Sequence, residues 1–196
     1  MKKLSFLLCL FICLKCFSQQ SYQDSIQKHI DNYVKEHGVV KGDDKKHLHF
    51  YPANASFKVR AAVELKPNSP WFKMDASGPI KQLYRVYGVA RFTINGTEVQ
   101  LNIYQNQSLM QTDKYAAHLF VPFIDATSGK ETYEGGRYID ITISDIKTGS
   151  VELDFNKAYN PYCAYVSGIY SCPIPPKENR LTIAIEAGEK KYSKEH

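Results

Sequence analysis

Three carboxylates in the C-terminal half of the chain, Asp154, Glu178 and Glu131, are the side chains best suited to acid–base chemistry. Two carboxylates in different surroundings acquire different pKa values, so that one donates a proton while the other accepts one. Arg137 carries a rigid fork of donors that suits a carboxylate or phosphate group of a ligand. The alternative is structural, since such residues commonly satisfy loop N–H groups or pair with one another.

Further polar side chains close to Arg137 in the sequence are candidates for a binding site. Residues 125–129 have the composition of a capped turn, in which Asp, Thr and Ser side chains bond to nearby N–H groups. We expect a rim site for a small polar or anionic ligand, or for a partner; the alternative function is a hydrolase-like enzyme of the cell envelope. The predicted binding residues are Arg137, Tyr133, Glu131, Asp125, Asn156, Tyr159, Asn160 and Asn179.

The sequence lacks the residues that several common catalytic mechanisms require. The histidines offer one pair with metal-type spacing, His47-x-His49, and no further ligand set for zinc. Ser128-Gly129 does not form the Gly-flanked elbow of a serine hydrolase. No Gly-rich phosphate loop or dinucleotide fingerprint occurs. We therefore expect neither a metal nor a cofactor.

The elements that must position these side chains are mostly β-strands. Short apolar or alternating segments are separated by turn residues, and no helix alternates with them, which predicts a single-domain antiparallel β-barrel or β-sandwich. Asn95-Gly96 predicts a tight hairpin turn with positive φ. The predicted strands cover residues 47–51, 57–65, 71–74, 82–94, 98–104, 119–123, 138–143, 151–155 and 181–185.

Two local patterns add detail to this β-rich domain. One short helix is predicted from Ser21, as its cap, to His37, with Gly38 as the C-terminal stop. The turn residues at 147–149 predict that strands 138–143 and 151–155 pair as a hairpin. That pairing would bring Arg137 to the same end of the sheet as Asp154.

Two longer segments carry a family resemblance. The first covers residues 120–133 and continues through 136–140; the second covers 154–165 and continues through Cys172-Pro173 to Ala187-Gly188-Glu189. Together with the opening strands near residues 48–60, they resemble the bacterial family known as domain of unknown function 1684. The resemblance spans His47 to about Tyr192. It implies a domain and a location for a site, without implying a reaction.

The N-terminus has the pattern of an export signal. Met1-Lys2-Lys3 is followed by an apolar run, residues 4–14, that is too short to span a membrane. Cys16 and Ser18 are small residues at positions −3 and −1 of a cut before Gln19. A lipoprotein is the alternative, but no small residue directly precedes a cysteine of this segment.

Removal of residues 1–18 defines the expected mature protein. The signal carries three of the 25 basic residues and none of the 20 acidic ones, so the net charge falls from +5 to about +2. The remaining Lys and Arg are scattered, which argues against nucleic acid as a partner. We expect a helix and connector over 19–46, a β-rich domain over 47–192 without a transmembrane anchor, and a periplasmic or extracellular location.

The cut also changes the cysteine count from five to two, Cys163 and Cys172. An even pair in an oxidising compartment favours a disulfide, the alternative being two reduced, buried cysteines. Both lie in the segment 156–180, which carries four prolines and four tyrosines. This composition is too proline-rich for regular structure and too aromatic for disorder, so it predicts a long ordered loop of the kind that carries function.

Overall fold

The computed structural model describes residues 2–194, with side chains from residue 19 onward. The predicted signal peptide, residues 1–18, therefore lies outside the residues whose side chains are described. One helix and seven strands form the described fold: α1 (Lys2–Glu36), β1 (Lys58–Leu65), β2 (Phe72–Lys73), β3 (Leu83–Ile94), β4 (Thr97–Asn106), β5 (His118–Phe123), β6 (Arg137–Thr142) and β7 (Ser150–Asp154).

All strand pairs are antiparallel and belong to one curled sheet, a half-barrel with the strand order β6-β5-β4-β3-β1-β7. The short strand β2 pairs with β3 beside this path. The mostly-β antiparallel fold is therefore confirmed. The predicted turn at Asn95-Gly96 joins β3 to β4, and both residues have positive φ, 49° and 77°.

The main core fills the inner face of the curled sheet. Alternate residues of β5 and β6, including Leu119, Val121 and Ile139, point into it and are at most 7% exposed. Because successive strand side chains point to opposite faces, Phe120 and Tyr138 lie on the outer face. There they form a second, aromatic cluster with Tyr84 and other buried residues.

Strand β3 contributes to both clusters because it contains a bulge. Its register against β4 shifts between Val86 and Gly88, so Tyr87 is the extra residue. Before the bulge Tyr84 faces the outer aromatic cluster, and after it Phe92 faces the inner core. The even-numbered residues therefore change face within one strand, since one inserted residue reverses the alternation.

Helix α1 packs against the 3-10 turn over Phe155–Lys157 that follows β7, and it ends where the pattern predicts, one residue before His37. The predicted cap at Ser21 is wrong, because the helix is continuous from Lys2 and 35 residues long. In the described part of the chain, no helix has both the length and the apolar character that a membrane crossing requires.

Two predicted strands are not regular strands. Residues 47–51 make only an isolated bridge, from Phe50 to Glu189, after a short 3-10 turn over Gly42–His47. Residues 181–185 form no strand either. Leu181 donates its N–H to the carbonyl of Ile124, and Ile183 accepts the N–H of Ala126, so this segment runs alongside residues 124–126 without forming a regular strand. Both segments have strand composition and run as extended connectors, and Leu181 and Ile185 of the second one are buried in the main core.

The predicted hairpin between β6 and β7 is also wrong. The tight turn at residues 147–149 forms, with Lys147 and Ser150 bonded to each other. A 3-10 turn over Ile143–Asp145, capped by Thr142, ends β6 before the hairpin begins. The chain is thereby redirected, so that β7 pairs with β1 at the opposite edge of the sheet.

Candidate functional site

Arg137 begins β6, and its side chain is fully buried. Its Nη2 donates to the Asp125 carboxylate at 2.8 Å and to the carbonyl of Ile185 at 2.8 Å. Its Nη1 donates to the carbonyls of Ala187 and, at 3.3 Å, Glu189. An arginine whose fork is already filled by a carboxylate and three carbonyls has no free bidentate face for an anion. This geometry favours the structural interpretation of Arg137.

The hydrogen-bonding capacity of the Asp125 carboxylate is also taken up within the protein. Its Oδ1 accepts from the backbone N–H of Thr127 at 2.8 Å, from the Thr127 hydroxyl at 2.6 Å and from the N–H of Ile185 at 3.1 Å. Its Oδ2 accepts from Arg137. Gly129 supplies the positive φ of the turn, 82°. The segment is thus the capped turn that its composition predicts, and it ties the C-terminal segment to the sheet.

Asp154 and Asn156 connect α1 to the end of β7. The Asp154 carboxylate accepts from the Tyr22 hydroxyl at 2.9 Å, and from the backbone and side-chain N–H groups of Asn156 at 3.1 and 3.0 Å. The Asn156 side chain also bonds to both backbone groups of Asn54. Both side chains are buried and act in docking the helix.

Two other predicted binding residues, Asn160 and Asn179, are buried cross-links. The Asn179 amide donates to the carbonyls of Asn102 and Pro122 and accepts the N–H of Asn102 at 2.8 Å. The Asn160 amide donates to the carbonyl of Lys190 at 2.8 Å. Each ties a loop to the rest of the domain.

The remaining carboxylate candidates lie apart. Glu131 and Glu178 are exposed, and Glu178 has an ion pair of 4.0 Å with the neighbouring Lys177. Neither lines the cleft described below, whereas Asp154 does. Tyr133 is half-buried against a small apolar cluster, and burial raises its pKa. The structure therefore does not bring the three carboxylates together around one cavity.

The two segments that carry the resemblance do meet, although not through a hairpin. The backbone groups of Tyr138 and Tyr159 exchange two hydrogen bonds, of 2.9 and 3.0 Å. This pairing adds the start of the segment 156–180, the cysteine loop, to the free edge of β6. It also places Tyr159, one of the predicted binding residues, on the outer aromatic face.

A cleft of about 1320 Å³ opens on that face. Its floor consists of aromatic side chains of the sheet, and the cysteine loop, helix α1 and the turn between β6 and β7 form its walls. The aromatic residues that line it are Tyr33, Tyr84, Tyr115, Phe120, Tyr138, Tyr159, Tyr162 and Tyr170. The rings of Phe120 and Tyr138 lie 4.7 Å apart, and those of Tyr138 and Tyr159 5.8 Å apart, so the floor is continuous.

Three polar side chains beside this floor, Tyr159, Asp140 and His118, lie in contact as a chain. The Tyr159 hydroxyl donates to Asp140 Oδ2 at 2.8 Å, and Asp140 Oδ1 lies 3.1 Å from His118 Nε2. Burial, together with the Asp140 charge, raises the pKa of Tyr159 well above its usual value. The Asp140 side chain remains 47% exposed. The chain therefore presents to the open cleft a carboxylate that accepts a hydrogen bond from Tyr159 and lies next to His118.

The cysteine loop closes one side of the cleft. Cys163 and Cys172 form a disulfide with a Cα–Cα distance of 6.3 Å. Cross-linking about ten residues contributes roughly 2–3 kcal/mol through the unfolded state. The loop is also fixed by the Tyr138 hydroxyl, which donates to the carbonyl of Pro173. Tyr162 and Tyr170, close in sequence to the two cysteines, line the cleft with ring centres 5.1 Å apart.

Among the described carboxyl groups, that of Glu189 has the most strongly shifted pKa. It is fully buried, and desolvation raises its pKa to about 7, against the opposing hydrogen bonds it accepts. Those bonds come from the Tyr165 hydroxyl at 2.7 Å, the Tyr33 hydroxyl at 3.0 Å and the N–H of Asn160 at 2.8 Å. Glu189 therefore joins helix α1, the cysteine loop and the C-terminal segment.

Sequence reasoning missed His118, Asp140 and Glu189. The first two are polar residues at outward positions of adjacent strands, and this alternation is the signal that finds them once β5 and β6 are paired. Glu189 has no local signal, since its partners lie as far away as residue 33. Among residues with described side chains, no group of three or more metal-type ligands occurs.

Residues 44–190 match the sequence profile of the family described as "Protein of unknown function (DUF1684)". The chain belongs to this family. The matched residues include every strand of the half-barrel and all residues of the cleft except those of α1. The suspected membership in DUF1684 is thereby confirmed, and the family description itself assigns no activity.

The DUF1684 fold also has a structural relative. The chain is similar to an uncharacterized protein of Haloarcula marismortui whose structure was determined in solution by NMR. The two are 26% identical, with a TM-score of 0.67, and the alignment covers 91% of this chain and 98% of that one. No curated protein matches the sequence.

Proposed function

We propose that this protein binds a small organic ligand in the aromatic cleft. The observation that carries the proposal is the Tyr159–Asp140–His118 chain on an otherwise aromatic floor. Ligand sites are concave, mostly apolar and furnished with a few convergent polar groups, and this cleft has all three properties. The ligand is polar, as the sequence predicts, but its site is the outer face of the sheet rather than the cluster around Arg137.

Binding has more support than hydrolysis. Asp154 is the one predicted catalytic carboxylate that reaches the cleft, and it already accepts three hydrogen bonds. A carboxylate in that state is a poor general base, because a proton transfer would cost it existing partners. Asp140 is better exposed, but no second carboxylate pairs with it among the described contacts. A non-catalytic binding domain is therefore the function we favour.

Binding is testable with three soluble benzene derivatives, benzyl alcohol, benzylammonium and benzoate, followed by the histidine ring signals in NMR. His29 and His118 line the cleft, whereas His47 and His49 contact Ser193 outside it. We expect at least one probe to shift the His118 and His29 signals and to leave those of His47 and His49 in place.

A matched pair of variants localises the effect. His118→Gln removes the imidazole that lies next to Asp140, and we expect it to weaken binding several-fold. The ring signal of His29 then reports binding in this variant. His47→Gln should leave binding unchanged. The proposal of a ligand cleft fails if no small-molecule probe moves the His118 signal, or if all four histidines respond alike.

We also propose that the protein works outside the cytoplasm. The charged and apolar pattern of residues 1–18 supports export, and the close approach of Cys163 to Cys172 suits an oxidising compartment. N-terminal sequencing of the protein from fractionated native cells should find Gln19 as the first residue, outside the cytoplasmic fraction. A chain that keeps residues 1–18 and stays in the cytoplasm would contradict export.

A further inference from the structure

The rings of the cleft floor and of the adjoining walls form a continuous arc. Tyr84 and Phe120 lie 5.9 Å apart, and beyond Phe120 the arc continues through Tyr138 and Tyr159 to Tyr33, 6.3 Å from Tyr159. Aromatic faces carry a negative quadrupole and therefore attract cations, especially where water is excluded. Such an arc suits a cationic group with several apolar substituents.

The charged side chains that line the cleft also favour a cation. Four carboxylates, Asp140, Asp145, Glu152 and Asp154, face two ammonium groups, Lys147 and Lys157. These six groups alone give the lining a net charge of −2, and outside it Lys58 pairs with Glu152 at 3.0 Å. An anion placed here would meet a repulsive field, so the lining argues against the anionic ligand expected from the Arg137 cluster.

Asp140 is the carboxylate best placed to meet a ligand. It lies beside Phe120 in the strand register, on the same face of the sheet. Its described partners are Tyr159 and His118, and no described lysine or arginine forms an ion pair with it. A negative charge on an aromatic floor, without a permanent cation as partner, is complementary to a cation from outside.

The mouth of the cleft is apolar on one side. Ile80 and Ile169 line it and are 66% and 69% exposed. Exposed side chains of this size beside a cavity are typical of a binding edge. They provide contact for an apolar body attached to the charged group.

We propose that the ligand of this cleft is an organic ammonium cation, bound by the aromatic arc and the Asp140 carboxylate. This inference rests on the proposed binding function and names its ligand class. The aromatic faces stabilise the substituted ammonium group, Asp140 supplies the counter-charge, and the apolar mouth contacts the remainder of the molecule.

Three probes with the same branched body separate the charge from the shape: choline, the neutral 3,3-dimethylbutan-1-ol and the anionic 3,3-dimethylbutanoate. Titrations are followed by the ring signals of His118 and His29 in the full exported protein. A cation–aromatic contact with a nearby carboxylate is worth about 1–2 kcal/mol, so we expect choline to bind roughly tenfold more tightly than the alcohol. The anion should bind more weakly than either.

Asp140→Asn keeps the side-chain shape and removes the charge. We expect it to weaken choline binding about fivefold to tenfold and to leave alcohol binding unchanged, in line with the same range of energies. Asp43→Asn, on an exposed connector outside the cleft, makes the same change in net charge and should have no effect. An unaltered thermal transition in both variants confirms that the fold is retained.

The outcomes distinguish the two proposals. If the alcohol or the anion shifts the cleft histidines at concentrations as low as choline does, the cation class is wrong and the binding cleft stands. If the wild-type and Asp140→Asn proteins bind choline with equal affinity, Asp140 is not the counter-charge, and the binding cleft again stands. If none of these probes, nor the benzene derivatives above, reaches His118, both the ligand class and the cleft are wrong.

Discussion

Replacing Arg137 with lysine is expected to lower the free energy of unfolding by about 3 kcal/mol. Lysine keeps the positive charge but cannot reach the Asp125 carboxylate and the carbonyls of residues 185, 187 and 189 at once. Removing one partner of a buried network leaves the others desolvated and unpaired, which is costly. Urea denaturation of the wild-type and Arg137→Lys proteins measures the difference.

Arg91→Lys is the matched control. Arg91 forms an exposed ion pair of 2.8 Å with Glu64, and surface pairs of this kind contribute little. We expect a change within about 0.5 kcal/mol there. If Arg137→Lys is as mild as Arg91→Lys, the buried network does not stabilise the fold, and Arg137 again becomes a candidate for ligand binding.

The second large effect concerns Glu189 and pH. Its folded-state pKa is raised from 4.5 to about 7, so the folded protein holds a proton that the unfolded chain has released over this interval. The corresponding stability is fully present below pH 4.5 and is lost as pH rises through 7. The Glu189→Gln variant does not lose this stability as pH rises, because glutamine has no carboxyl group to ionise. We expect the stability of the variant relative to wild type to increase by about 3 kcal/mol between pH 4.5 and pH 8.

The comparison between proteins is essential because His37 acts in the opposite direction. Desolvation lowers the pKa of His37 to about 4, so this residue favours the folded state as pH rises from 4 to 6.5. Its contribution is common to both proteins and cancels in their difference. Glu186→Gln, at an exposed position, is the control and should show no such dependence. A constant difference between Glu189→Gln and wild type across this range would mean that Glu189 titrates normally.

Local chemistry explains why part of this fold was predictable. Asn95-Gly96 forms the turn between β3 and β4 because both residues adopt the positive φ that the turn requires. Gly38 follows the end of α1 closely, but its φ is not positive, so it is not the left-handed stop that the sequence predicts. Alternation located the strands from β1 to β7 to within one or two residues. Composition alone predicted that the cysteine loop would be ordered.

What could not be predicted depends on contacts between distant residues. The hairpin signal at residues 147–149 was real as a turn, yet the 3-10 turn over Ile143–Asp145 redirected the chain. Asp140 and His118 meet only because β6 lies beside β5, and Glu189 is perturbed only because Tyr33 and Tyr165 surround it. Residue type alone marked Arg137 as a ligand holder, whereas its burial is a property of the whole fold.

The bulge at Tyr87 has a consequence for how the family can diversify. It divides β3 into an outward half, with Tyr84 on the cleft floor, and an inward half, with Phe92 in the main core. Substitutions in the first half can change the cleft without disturbing the packing of the second. A deletion of Tyr87 would disturb both the cleft and the core, because it would turn the side chains of one half of the strand to the other face of the sheet. Members of the family should therefore vary in residue type before the bulge while keeping the length of this strand constant.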